Sequence, residues 1–132
     1  MEKYYAVDLH CHTTASDGLH TPAEVVEIAH SLGLKGIGIT DHDTIAGWEE
    51  AEAAGKRYGI RVVKGLEVNT ELNGTEIHIL GYEFDPTNDE LVTKLNEMQQ
   101  ARFTRIERII AKLNQLGIDI HLDEILDLAQ GG

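Results

Sequence analysis

The chain has 132 residues, 42% of them hydrophobic, which suits one soluble globular domain able to bury a core. A formal charge of −12 without any dense Lys/Arg block argues against gripping long duplex nucleic acid through a general surface field, and an anionic substrate would need bound cations to reverse the local potential. No apolar run approaches the roughly 18 residues of a membrane span, no signal peptide opens the chain and Cys11 stands alone, so the expectation is a cytoplasmic protein with no membrane partner and no internal disulfide.

In chain order, Tyr4 to His12 reads as a strand. Thr21-Pro22-Ala23-Glu24 is a capping box with proline at the first helical position, and it opens a helix expected to end near Gly33. Lys35 to Thr40 reads as a short buried strand, Ile45 to Tyr58 as a helix closed by Gly59, and Arg61 to Asn69 as a third strand. Asn73-Gly74 is a hairpin turn leading into a strand from Thr75 to Phe84. The order βαβαβ plus one strand predicts an α/β unit over residues 1–86, with parallel pairing and one antiparallel hairpin. Over residues 87–132, a second capping box (Thr87, Glu90) starts a long helix that ends at Gly117, and a short helix runs from Leu122 to Ala129.

The chemistry concentrates at strand ends. Asp8, His10 and His12 at i, i+2 and i+4 are expected to leave one strand face, and the small-residue loop after them lets Asp17 fold back to the same place. Imidazole with carboxylate suits zinc, iron or manganese; the competing reading is a histidine pair on a solvated strand. Asp41 and Asp43 flank His42 at the end of the next strand, where Asp43 or Thr44 reads as a helix cap but His42 has no such duty. Glu67 and His78 sit among apolar residues of the third and fourth strands, and a charged Glu there is costly unless paired or coordinated. Four consecutive strands thus each deliver a His or Glu toward one interior.

Other candidates weigh less. Alternation turns Cys11 away from His10 and His12, as an inert thiol. His20 and His30 read as surface residues, His121 as a contributor to the start of the last helix, and Trp48 and Tyr58 as core or rim packing. Arg102, Arg105 and Arg108 drift around one side of the long helix, where they either hold a substrate phosphate or pair with Glu97 and Glu107.

The runs Asp8-Leu9-His10-Cys11-His12-Thr13-Thr14-Ala15-Ser16-Asp17-Gly18 and Gly38-Ile39-Thr40-Asp41-His42-Asp43-Thr44 resemble the first two motifs of the PHP (polymerase and histidinol phosphatase) superfamily of metal-dependent phosphoesterases. Gly65-Leu66-Glu67 and Glu76-Ile77-His78-Ile79-Leu80-Gly81-Tyr82 resemble the superfamily's next two conserved segments. Within the superfamily the chain is most similar to small bacterial enzymes acting on nucleoside phosphates and short RNA ends. The resemblance implies part of a distorted (β/α)7 barrel and then the start of a helical insertion, with two or three divalent ions (Mn, Fe, Zn or Mg). It implies that His10 and His12 bind one ion and Asp17 and His42 another, that Glu67 bridges ions, and that His78 completes a third site. Asp8 and Asp41 would orient histidine ligands through their free ring nitrogens, and Arg102 would bind a substrate phosphate. The implied reaction is hydrolysis of a phosphoester in a small phosphorylated metabolite, nucleotide or short oligonucleotide by a metal-bound hydroxide, without a protein nucleophile. A histidinol-phosphatase-type enzyme and a catalytically silent module that binds metal or a partner protein are the alternatives.

The superfamily draws three further ligands from later in the chain, and this sequence reaches Gln130-Gly131-Gly132 before any of them. The 132 residues therefore read as the N-terminal part of a longer enzyme, expected alone to bind metal weakly and turn over poorly. Free strand edges of a partial barrel invite a homodimer or a complementary fragment.

Overall fold

The computed structural model describes residues 6–129; Tyr4 and Tyr5, expected to begin the first strand, lie outside the described residues. The chain divides into two compact units, Met1–Asp85 and Pro86–Gly132.

The first unit runs β1 (Val7–Cys11), α1 (Pro22–Ser31), β2 (Gly36–Ile39), α2 (Trp48–Tyr58), β3 (Arg61–Leu72) and β4 (Thr75–Tyr82). The strands lie side by side in the order β1-β2-β3-β4. The first two pairings are parallel and the third is antiparallel, as the sequence predicts. At the start of α1 the Thr21 hydroxyl accepts from the Glu24 amide at 3.2 Å while the Glu24 carboxylate accepts from the Thr21 amide at 2.8 Å, so two otherwise orphaned donors are satisfied reciprocally. The second helix begins at Trp48, three residues later than its apolar pattern promises, because the Thr44 hydroxyl takes the Ala46 amide at 3.2 Å and holds the chain in a turn. Gly59 closes it in the left-handed region, at φ 69°. β3 continues to Leu72 because Asn73 and Gly74, at φ 54° and 78°, make a two-residue turn that keeps Leu72 opposite Thr75.

Val26 and Ala29 of α1, Ile37 and Ile39 of β2, and Trp48, Ala51 and Ala54 of α2 form the core with Ile60, so both helices cover one face of the sheet. Trp48 is core, as expected, and its indole N–H donates to the Gly65 carbonyl at 2.8 Å, satisfying the ring's one polar atom.

One expectation fails in β1. Asp8 pairs with Ile37 and Cys11 with Ile39, so three residues of β1 advance against two of β2. The extra residue is a β-bulge, and it breaks the strict alternation that would have put Asp8 beside His10 and His12. Asp8 instead shares the face of Cys11, where its carboxylate helps to keep the thiol protonated.

The second unit comprises α3 (Asp89–Gln115) and α4 (Leu122–Ala129). The start of α3 corrects the reading of Thr87 and Glu90 as a capping box: the Asn88 side chain takes the Leu91 amide at 3.0 Å, one position later. Gly117 ends the helical path at φ 83°, and His121, whose amide donates to the Glu124 carboxylate at 3.1 Å, opens α4. Among the described residues no helix is long and apolar enough to cross a membrane.

Candidate metal centre

The face of the sheet away from the helices gathers the six candidates. β1 presents His10, and His12 follows just past its end. The chain beyond β2 keeps pairing with β3, where Glu67 N donates to the Asp41 carbonyl at 3.2 Å and Asp43 N donates to the Glu67 carbonyl at 3.0 Å. This lone bridge puts His42 and Glu67 side by side in parallel register. Across the hairpin, β4 brings His78 within reach of Glu67.

Glu67 is the hub. It is only 3% exposed, yet its carboxylate meets His10 Nε2 at 2.7 Å, His12 Nε2 at 2.9 Å and, through its other oxygen, His78 Nδ1 at 2.7 Å. His42 Nε2 lies 3.8 Å away. Asp17 reaches over from its loop, 3.4 Å from His12 Nδ1 and 3.6 Å from His42 Nε2. Three overlapping groups result: His10, His12 and Glu67; His12, Asp17 and His42; and His42, Glu67 and His78, with the donor atoms of each within 4.8 Å of one another.

With Glu67 ionised, the first group cannot be fully satisfied by protons. His10 Nε2 and His12 Nε2 approach the same oxygen of Glu67 and also stand 3.1 Å from each other. If both rings donate to the carboxylate, two N–H groups face one another; if one does not, its lone pair lies against the acceptor. A divalent cation satisfies all three atoms at once, and ligands bonded at about 2.0–2.2 Å to one ion stand roughly 2.8–3.6 Å apart. The donor set of imidazole and carboxylate fits zinc, iron or manganese better than the all-oxygen surroundings of calcium or magnesium.

Electrostatics obeys the same geometry. Burial pushes the Glu67 carboxyl up, but hydrogen bonds from His10 and His78 with the charge of His42 outweigh it and hold the group below its ordinary value. Hydrogen bonds to Glu76 and Glu67 raise His78 above its own. Burial, then the Asp8 carboxylate, push the Cys11 thiol up to about 12, which makes it an inert group on the far side of β1.

The aspartates do other work than expected. The Asp8 carboxylate accepts from the His10 amide at 3.1 Å, and that of Asp41 accepts from Thr13 and Ser16. Neither holds the Nδ1 of His12 or His42, which find no hydrogen-bond partner among the described residues. Asp43 does not cap α2. It sits at φ 53°, buried, with its two oxygens accepting from the amide and side-chain nitrogens of Asn69 at 3.1 and 3.3 Å, and so ties the turn after β2 to β3. Arg102 lies exposed on α3, within the second unit, and Glu97, considered as an arginine partner, pairs with Lys94 at 2.7 Å. His20 and His30 are exposed.

Sequence reasoning overlooks Glu76, whose carboxylate lies 3.0 Å from His78 Nε2. Its position two residues before His78 on one strand is a signal that alternation could supply. Thr13 and Ser16 give no such signal, since their partner Asp41 lies 28 and 25 residues away.

The PHP domain family matches residues 8–120 of the chain. The chain belongs to this family. Among relatives of the PHP domain, a 5'-3' exoribonuclease of Haemophilus influenzae is 42% identical over 99% of this chain and 47% of its own length. A 3',5'-nucleoside bisphosphate phosphatase of Chromobacterium violaceum is 36% identical over 85% of this chain and 39% of its own length. A solved structure from Bifidobacterium adolescentis, assigned as a metal-dependent phosphoesterase, superposes with a TM-score of 0.90 at 36% identity, over 96% of this chain and 44% of that one. The fold is thus α/β, part of a PHP-type barrel, and the chain spans about half the length of the relatives it matches.

Proposed function

We propose that the protein is a metal-dependent phosphoesterase that hydrolyses phosphoester bonds of nucleotides, short oligonucleotides or other small phosphorylated metabolites. One observation carries this reading: two imidazole nitrogens and a carboxylate oxygen lie within 3.1 Å of one another, an arrangement that, with the carboxylate ionised, a divalent ion satisfies and protons do not. Relatives named for cleaving RNA, a nucleoside bisphosphate and a cyclic phosphate support the substrate class. The second unit, Pro86–Gly132, is read as the start of a helical insertion, with Arg102 as a candidate contact to substrate phosphate.

His10, His12 and Glu67 would hold one ion, Asp17 and His42 with His12 a second, and His78 with Glu67 and His42 a third. Divalent ions bound there lower the pKa of water and neutralise phosphoryl oxygens. Manganese, iron and zinc are the candidates. The chain's own residues fix the positions of those charges: Glu67, buried between strands, holds imidazoles from β1 and β4 at fixed spacing, and Glu76 fixes the ring of His78. The donor groups are imidazoles and carboxylates, and the Ser16 hydroxyl beside Asp17 is engaged by Asp41 at 2.6 Å, so attack by water is the route the donor set supports. Six side chains fall well short of the about dozen positions around two six-coordinate ions, which leaves room for water and substrate oxygens.

The test is elemental analysis of protein loaded with Mn2+, Fe2+ or Zn2+, then phosphate release from phosphomonoesters, nucleoside 3',5'-bisphosphates and short RNA. Release that requires metal and disappears in Glu67→Gln is the expected outcome. Absence of any bound metal defeats the reading, and bound metal with no turnover of any ester favours a silent module.

A further inference from the structure

We propose that Asp41 is a positioning residue, whose carboxylate clamps the loop after β1 so that Asp17 meets His12 and His42. Asp41 is 1% exposed, and its two oxygens collect three donors from that loop. One oxygen accepts from the Thr13 amide at 2.7 Å and the Ser16 hydroxyl at 2.6 Å, and the other accepts from the Thr13 hydroxyl at 2.9 Å. Hydrogen bonds to a carboxylate are about twice as strong as those between neutral groups. Thr13, itself buried, passes the constraint on: its hydroxyl accepts from the Ala15 amide at 3.1 Å, and its carbonyl accepts from the amides of Ser16 and Gly18 at 3.0 and 2.9 Å. Asp17 lies between those last two anchored amides.

Asp17 has little of its own to hold it. Its side chain is 65% exposed, and the hydroxyl beside it, Ser16 Oγ, lies 3.4 Å away and spends its proton on Asp41 at 2.6 Å. The loop therefore sets where the Asp17 carboxylate stands. Asp41 also precedes His42 directly in the chain, so the group that grips the loop is one peptide from the imidazole that Asp17 approaches at 3.6 Å. Two small residues make the closure possible. A Cβ on Gly18 would stand 2.4 Å from the His12 carbonyl oxygen, and one on Gly47 would press on Asp41 at 3.2 Å and Thr13 at 3.3 Å.

The inference rests on the metal reading of the His12, Asp17 and His42 group, and the experiment separates the two. Mn2+ is titrated calorimetrically into the chain and into Asp41→Asn, Ser16→Ala, Asp17→Asn and the Asp41→Asn/Asp17→Asn double variant. Asp41→Asn is expected to weaken binding by about 10–100-fold, the range found for groups that orient ligands. Once Asp17 is gone, the same change is expected to add less than about twofold, because the two act through one carboxylate. Ser16→Ala removes a single donor and supplies the same comparison if Asp41→Asn folds poorly. An unchanged affinity, or a loss that persists undiminished in the Asp17→Asn background, overturns the proposal.

Amide hydrogen exchange under chelator reads the clamp without metal. Thr13, Ser16 and Gly18 are expected to exchange faster in Asp41→Asn while Ile37 and Ile39 keep their protection; unaltered loop protection refutes the clamp. A loop that responds in a chain that takes up no Mn2+ defeats the metal reading and not the clamp.

Discussion

At the residue scale, the site is legible wherever a polar group has no cheaper duty. His10, His12, His42 and Glu67 stand at strand ends or in apolar strands, where a bland role is hard to find, and the structure brings them together. Asp43 misleads because a carboxylate after a strand and before a helix has an ordinary use as a cap, and only tertiary contact with Asn69 displaces it. Because Glu67 belongs to two of the three donor groups, Glu67→Gln is expected to weaken Mn2+ binding by more than about 100-fold, beyond the 10–100-fold typical of orienting groups. A calorimetric loss under tenfold would remove Glu67 from the centre, and Cys11→Ser, on the opposite face, serves as the control that changes little. Protons compete at the same hub. In metal-free chain the Glu67 carboxyl is held below its ordinary 4.5, so its contribution to stability is present above that pH and lost as pH falls through the lowered value. The raised imidazole of His78 contributes fully below its ordinary 6.5 and fades as pH rises through the raised value. Thermal unfolding under chelator should therefore peak between these two ordinary values. A Tm that climbs steadily through neutral pH would show that the pair does not stabilise the fold.

At the element scale, capping boxes, the Asn73-Gly74 turn and apolar periodicity locate every strand and helix of the described residues within a few positions. What escapes them is the bulge in β1, since one extra residue among Val7, Asp8, Leu9, His10 and Cys11 carries no glycine or proline to announce it. The capping of α3 shifts by one position for a similar reason: Thr87 and Asn88 are both able caps, and the sequence does not rank them. Two glycines separate backbone cost from site geometry. Gly59 ends α2 in the left-handed region with open space around its Cα, so Gly59→Ala should cost about 1–2 kcal/mol of stability and leave Mn2+ affinity alone. Gly18→Ala sets a methyl against the His12 carbonyl at 2.4 Å, and the backbone between His12 and Asp17 must shift. Thermal denaturation paired with Mn2+ titration should show lost affinity for the second variant and not for the first; equal affinities in both would mean that the loop tolerates displacement.

At the scale of the whole molecule, chain order alone supplies the logic of the centre. Parallel crossovers through α1 and α2 return each strand's end to the same edge of the sheet, and the hairpin lays His78 beside Glu67, so donors 57 residues apart in sequence come to 2.7 Å. All six candidate ligands fall between residues 10 and 78, inside the unit Met1–Asp85, and none in Pro86–Gly132. A ligand that binds only the folded state stabilises by mass action, about 2.7 kcal/mol at 100 times its dissociation constant. That gain accrues to whatever must unfold to release the ion. Cation binding also lowers the self-repulsion of a chain with a formal charge of −12, but an electrostatic effect of that kind is spread over the surface and screened by salt, whereas coordination is confined to its ligands. Hydrogen exchange at moderate ionic strength distinguishes them. With saturating Mn2+, protection should rise in β1, β3 and β4 and in the loop that carries Asp17, and remain unchanged through α3. A gain shared equally by α3 would show that the two units unfold as one body, and a gain that vanishes with added salt would trace it to charge neutralisation in place of bound metal.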